Sequence, residues 1–150
     1  MAADDLIRLT NWANGLLASM EPAARRQLAG KIARTLRASQ AKRIRANIQP
    51  DGSPMAQRKP QPKLKKNRGR LRREMFYKIS NPTWLKARAS EQQAVVEFVG
   101  TANRLATIHQ YGLKDRIKGR EIRYPARELL GITHQEVERL EELLLIHIAI

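Results

Sequence analysis

Residues 50 to 73 limit what this chain can fold into more than any other stretch. They run PDGSPMAQRKPQPKLKKNRGRLRR, with prolines at 50, 54, 60 and 62 and almost no apolar side chains. Proline removes backbone donors and fixes φ, so neither a helix nor an interior strand passes through such a stretch. With little apolar surface to bury, it does not order by itself. The chain therefore has to fold from what lies on either side: a helical region at 1–49 and a mixed region at 74–150, with 50–73 as a basic, Pro-rich arm of one structural domain.

Charge follows the same division. The 150 residues carry a net charge of +15. Between Arg37 and Arg73 there are 13 Lys or Arg against the single acid Asp51, so this window holds +12 of it. Arg58, Lys59, Lys63, Lys65, Lys66, Arg68, Arg70, Arg72 and Arg73 are the cations of the arm. A polyanion partner is one physical reading, since neutralising phosphates releases counterions without any base readout. Single-strand binders interleave aromatics for stacking, and 37–73 has none. An arm that docks on protein is the preferred reading; the alternative is a nucleic-acid-binding protein contacting phosphates through 58–73.

Before the arm, Leu6, Leu9, Ala13, Leu16, Leu17 and Met20 recur at helical spacing after Asp4 and Asp5, which suit a first turn. Pro22 opens a second helix, where its missing N–H had no partner to lose. Leu28, Ile32, Leu36, Ile44 and Ile48 lie at multiples of four, so this helix is expected to reach about residue 48. Asp51-Gly52 favours a turn after it.

Beyond the arm, Leu71–Ser80 suits either a short helix or a strand. Residues 83–89 and 94–100 read as an antiparallel hairpin, Asn103–Tyr111 as a short helix stopped by Gly112, Arg116–Arg120 as a charged loop, and Glu121–Tyr124 as a third strand. Thr133 and Glu136 have capping-box spacing, so the last helix starts near His134. Its stripe is Val137, Leu140, Leu144 and Ile148, but Leu143, Leu145, Ile146 and Ile150 make the final turns apolar nearly all round. That surplus points to a subunit interface. The fold class is α+β: two N-terminal helices, a small antiparallel sheet with the extended arm, and a C-terminal helix.

No catalytic, metal or cofactor site emerges. His109, His134 and His147 have no ligand spacing, cysteine is absent, and there is no nucleophile elbow or phosphate-cradling glycine loop. The longest apolar run, Leu143–Ile146, is far too short to cross a bilayer, and the N-terminus has no signal-peptide pattern. The expectation is a non-enzymatic protein without a membrane partner, soluble and intracellular when made.

In order, PDGSPMAQR, GRLRREMF, LKARAS, VEFVG, IHQYGL and YPARELLGIT give the chain a layout that resembles the tail-completion, or virion morphogenesis, proteins of P2-like contractile-tailed bacteriophages. The resemblance covers most of the chain. It implies a structural protein of the virion, acting at the head-proximal neck where head and tail join. It also implies a ring-forming subunit, a hexamer by the family's pattern, next to tail terminator, tail tube or head-completion and connector proteins, with DNA in the neck as a second, nonspecific contact. Within that frame IHQYG reads as a packed corner, where His109 forms hydrogen bonds or, alternatively, senses pH and Gly112 turns the chain. In YPAR, Pro125 fixes a strand exit and Arg127 meets a carboxylate within or between subunits.

Overall fold

The computed structural model describes residues 2–58 and 75–148. The arm cations from Lys59 to Arg73, and Ile150, lie outside the described residues. Among the described residues, four helices and two two-stranded sheets make the fold α+β, as expected. The described residues gather into two compact units assembled from non-contiguous segments, a grouping that differs from a division into consecutive stretches of chain.

The first unit draws on the chain up to Ser39, on Lys86–Glu97, and on the segment from Gly131 onward. Helix α1 (Ala2–Leu17) has Asp4 and Asp5 in its first turn, where carboxylates complement the exposed N–H groups. Helix α2 (Pro22–Arg45) begins in this unit, and α4 (His134–Ile148) closes it. Leu9 and Ala13 of α1, Leu28 of α2, and Val137, Leu140 and Leu144 of α4 form one buried cluster, with Ile32, Leu36 and Leu143 packed at its margin. The stripes read from the sequence face one another over these residues, whereas Ile44 is buried in the second unit and Ile48 is 39% exposed. The capping box of α4 is present: the Glu136 N–H donates to Thr133 Oγ1 at 3.1 Å and the Thr133 N–H to Glu136 Oε1 at 3.0 Å. In the turn at residues 90–93, the Ser90 hydroxyl accepts from the Gln92 and Gln93 N–H groups, both at 3.2 Å.

Strands β1 (Leu85–Ala89) and β2 (Ala94–Phe98) pair with each other, and β3 (Lys114–Ile117) pairs antiparallel with β4 (Arg120–Arg123). The sequence suggested one small sheet, and the structure has two. Each pair is closed by its own short turn, and among the described residues neither hairpin's outer edge bonds to a further strand, so they stay two sheets. The expected loop Arg116–Arg120 instead straddles β3, β4 and their turn. Lys118 (φ 50°) and Gly119 (φ 77°) sit at positive φ between the paired residues Ile117 and Arg120, as a two-residue type I′ hairpin demands.

The second unit comprises the described parts of Gln40–Leu85 together with Phe98–Leu130. Here α2 ends at Arg45 rather than near 48, because Asn47 turns left-handed (φ 58°) and the Asn47 carbonyl accepts from the Met55 N–H at 2.8 Å. Residues 75–80 are neither helix nor strand. They form successive turns, closed by the Ser80 N–H on the Phe76 carbonyl at 3.1 Å and by the Ser80 hydroxyl on the Tyr77 carbonyl at 2.7 Å. Helix α3 (Thr101–Tyr111) ends on Gly112, which is left-handed (φ 64°, ψ 47°) and lets the Leu113 N–H reach back to the Ile108 carbonyl at 2.9 Å. A side chain at 112 would bring its Cβ to 2.9 Å from the backbone nitrogen of Ala126, so glycine is required for space as well as for φ.

Candidate functional site

The pieces PMAQR, IHQYG and YPARELL, far apart in sequence, meet in the second unit. Arg127 is 4% exposed and lies at their centre. Its guanidinium donates to the carbonyls of Ala56 (2.6 Å) and Gln57 (3.0 Å) and contacts Nδ1 of His109 at 3.1 Å, while its backbone N–H donates to the His109 carbonyl at 2.7 Å. The sequence pointed to a carboxylate partner for Arg127, within or between subunits. The structure gives it backbone carbonyls and an imidazole inside one chain. A planar fork of five donors suits such a set of acceptors as a lysine would not.

His109 is buried beside it, with Phe76 edge-on at 4.9 Å between ring centroids and Tyr124 at 4.8 Å on another side. Since Nδ1 faces a cationic donor, the imidazole is neutral and carries its proton on Nε2. Burial first, and the Arg127 charge second, push its pKa down to about 4. The guanidinium pKa is itself lowered, chiefly by burial and then by the neighbouring Arg58 charge.

The next residue along α3 grips the same strand exit. Gln110 Oε1 accepts from the N–H groups of Leu129 (2.8 Å) and Leu130 (3.0 Å), and its Nε2 donates to the Leu130 carbonyl at 3.0 Å. Arg43 at the end of α2 donates to the carbonyls of Leu129 and of Ile48. The PDGSP loop is pinned by Gln49, whose Nε2 donates to the Ser53 hydroxyl at 3.0 Å and whose Oε1 accepts from the Glu128 N–H at 3.0 Å. Asp51 accepts from the Ser53 N–H at 2.8 Å and from its hydroxyl, and these bonds lower its pKa; Gly52 turns the loop beside it. Pro125 is exposed at the strand exit. Gln110, Arg43 and Gln49 were not legible as site residues, because a lone amide or cation in a sequence says nothing of the distant backbone it will serve.

This network has a direction. Ala56 and Gln57 lie within the stretch read as the arm, whose described part, 50–58, is folded into this unit with Met55 buried; they flank the arm's basic run on one side, and Phe76 flanks it on the other. Both flanks are fixed on one His109–Arg127 pair. Residues 56–57 and Phe76 thus meet at a single knot, and Arg58 is the last described residue before the basic run. Elsewhere, Leu145 and Ile146 on α4 are 54% and 56% exposed, whereas Leu143 lies partly buried against the helical core. Among the described residues no group of His and carboxylates could hold a metal ion, and no helix is long and apolar enough to cross a membrane.

The knot has a pH signature. A histidine whose folded pKa lies near 4, against about 6.5 unfolded, binds its proton more readily in the unfolded chain. Its contribution is complete above pH 6.5 and is lost as pH falls through 4. Stability by urea unfolding is expected to drop between pH 7 and 4 by on the order of 3 kcal/mol from this group. In His109→Asn, whose amide oxygen can still accept from Arg127, that increment should vanish; an unchanged pH slope would locate the titration elsewhere.

Comparison with known proteins gives the same outline. The family model of the phage virion morphogenesis family matches residues 4–149. The chain is similar to the tail completion protein S of Escherichia phage P2, at 42% identity over 137 residues, which cover 89% of this chain and 91% of that protein. No solved structure matches.

Proposed function

Because the chain belongs to the phage virion morphogenesis family, we propose that it completes the tail of a contractile-tailed phage, or of a particle derived from one, at the head-proximal neck. At the coarser level, membership makes it a structural protein of phage tail assembly and of the virion, with no enzymatic role. In the finer reading it is a ring subunit, hexameric by expectation, whose arm at 50–73 holds neighbouring subunits or adjoining rings together. The neighbours are the tail terminator, tail tube or head-completion and connector proteins.

The observation that carries this reading is the knot. Residues 56–57 and Phe76, on either side of the basic run, meet on one buried, hydrogen-bonded pair, which supports an arm anchored at a defined place on the subunit, and a charged, Pro-rich sequence suits ordering on a partner. The helical unit adds support. Its apolar surplus on α4, at Leu145 and Ile146, differs from a second apolar surface, the groove lined by the partly buried Leu6, Leu17, Ile32 and Leu36. Two unlike apolar surfaces on one subunit suit head-to-tail contacts, and such contacts close into rings.

The test is complementation of a phage or prophage lacking this gene with a variant carrying Lys65, Lys66, Arg68 and Arg70 all changed to Ala. The expected result is an accumulation of separate heads and tails in electron micrographs, although the purified variant folds as the parent does. Joined particles at the parental yield would sink the reading. The purified parent is expected to be monomeric or weakly associated until it meets a tail end.

A further inference from the structure

The β3–β4 hairpin carries more positive charge than its own fold neutralises. Within Lys114–Arg123 there are five cations (Lys114, Arg116, Lys118, Arg120, Arg123) and two acids. Both acids are engaged: Asp115 with Arg104 at 2.6 Å, and Glu121 with Lys114 at 3.7 Å. Among the described residues no acid pairs with Arg116, Lys118, Arg120 or Arg123. The register also sets Lys114 opposite Arg123, a like-charge cross-strand pair that destabilises a ribbon, while Glu121, which stands opposite Arg116, makes its ion pair with Lys114 instead. Apart from Asp115, every residue of both strands is exposed. A two-stranded hairpin is marginal in water even without such repulsion. Local frustration of this kind marks a surface built for something other than its own stability.

We propose that this hairpin is a binding site for the phosphate backbone of duplex DNA, which it enters as a two-stranded ribbon. Three observations favour a duplex. Cations occur on both faces: Lys114, Arg116 and Arg123 share one with Glu121, Arg120 lies on the other with Asp115, Ile117 and Ile122, and Lys118 occupies the tip. An acidic protein surface would cover one face, whereas a groove has phosphates on both of its walls. The type I′ turn keeps the ribbon narrow to its end, and strands about 4.8 Å apart fit a major groove about 12 Å wide. The hairpin has no aromatic side chain, so it offers nothing for single-strand bases to stack on. This site is separate from the arm and does not rest on the proposed neck function.

The test is fluorescence anisotropy of a labelled random-sequence 20-bp duplex with the full chain, titrated with KCl. Changing Arg116, Lys118, Arg120 and Arg123 together to Gln should flatten the slope of log affinity against log salt by roughly 3 to 4, the value for four lost phosphate contacts. The double variant Arg116→Gln with Arg123→Gln leaves the turn intact, and should flatten it by about half as much. Circular dichroism melting confirms that each variant folds, and the double variant decides if the quadruple one does not. The arm variant described above should keep the parental slope to within about one contact. An unchanged slope in the hairpin variants, loss of the whole salt dependence in the arm variant, or tighter binding of poly-glutamate than of duplex at equal salt would each overturn the proposal; the last would assign the hairpin to an acidic protein.

Discussion

Arg127→Ala is expected to lower the unfolding free energy by about 3 to 5 kcal/mol, and the melting temperature by roughly 10 °C. The substitution removes the donor to three acceptors at once: the carbonyls of Ala56 and Gln57 and the imidazole of His109. A buried acceptor left unpaired costs about 1 to 3 kcal/mol, while the lost guanidinium returns part of its own desolvation cost. The sum stays positive because the site is 4% exposed and water cannot readily replace the fork. Arg127→Lys should recover only part of the loss, since one ammonium cannot serve acceptors spread over a planar fork. Urea unfolding at constant m-value reads the effect. Limited proteolysis near residues 56–58 reads its location, since cleavage there should rise in Arg127→Ala. A change below about 1 kcal/mol would mean that the knot does not secure the arm.

Leu28→Ala should cost about 3 to 5 kcal/mol in the helical unit. Leu28 is 1% exposed and packs within the cluster of Leu9, Ala13, Val137, Leu140 and Leu144, so truncation leaves a cavity lined by three helices. Alanine already stands at position 13 and cannot expand to fill it. Ile7→Ala, on the 59% exposed side of α1, gives the comparison and should change stability by no more than about 0.5 kcal/mol. Equal losses in the two variants, measured by chemical denaturation, would show that α1 and α2 are not packed on α4 through these faces.

The helices were legible because their signals are local. Apolar residues three and four apart define a stripe, Pro22 fits only a first turn, and Thr133 with Glu136 satisfies the start of α4. The β1–β2 hairpin and the stop at Gly112 were legible for the same reason. Residues 75–80 were not, because Phe76, Ile79 and Ser80 are buried by distant partners in a run of turns with no period of its own. The β3–β4 ribbon was half read: Glu121–Tyr124 suggested a strand, but its partner was hidden inside a charged run whose only clue was Lys118-Gly119.

By itself, then, the sequence determined the α+β class, the faces of the helices, the family layout and the placing of most of the net positive charge at 37–73, since each depends on spacing or composition along the chain. Only the tertiary structure decided that Arg127 turns inward to two carbonyls and a histidine, and that both flanks of the arm are tied to that pair. Hydrogen bonds between residues about 70 positions apart carry no trace in local propensity, because what selects them is the geometry of buried acceptors, which exists only once the chain has folded.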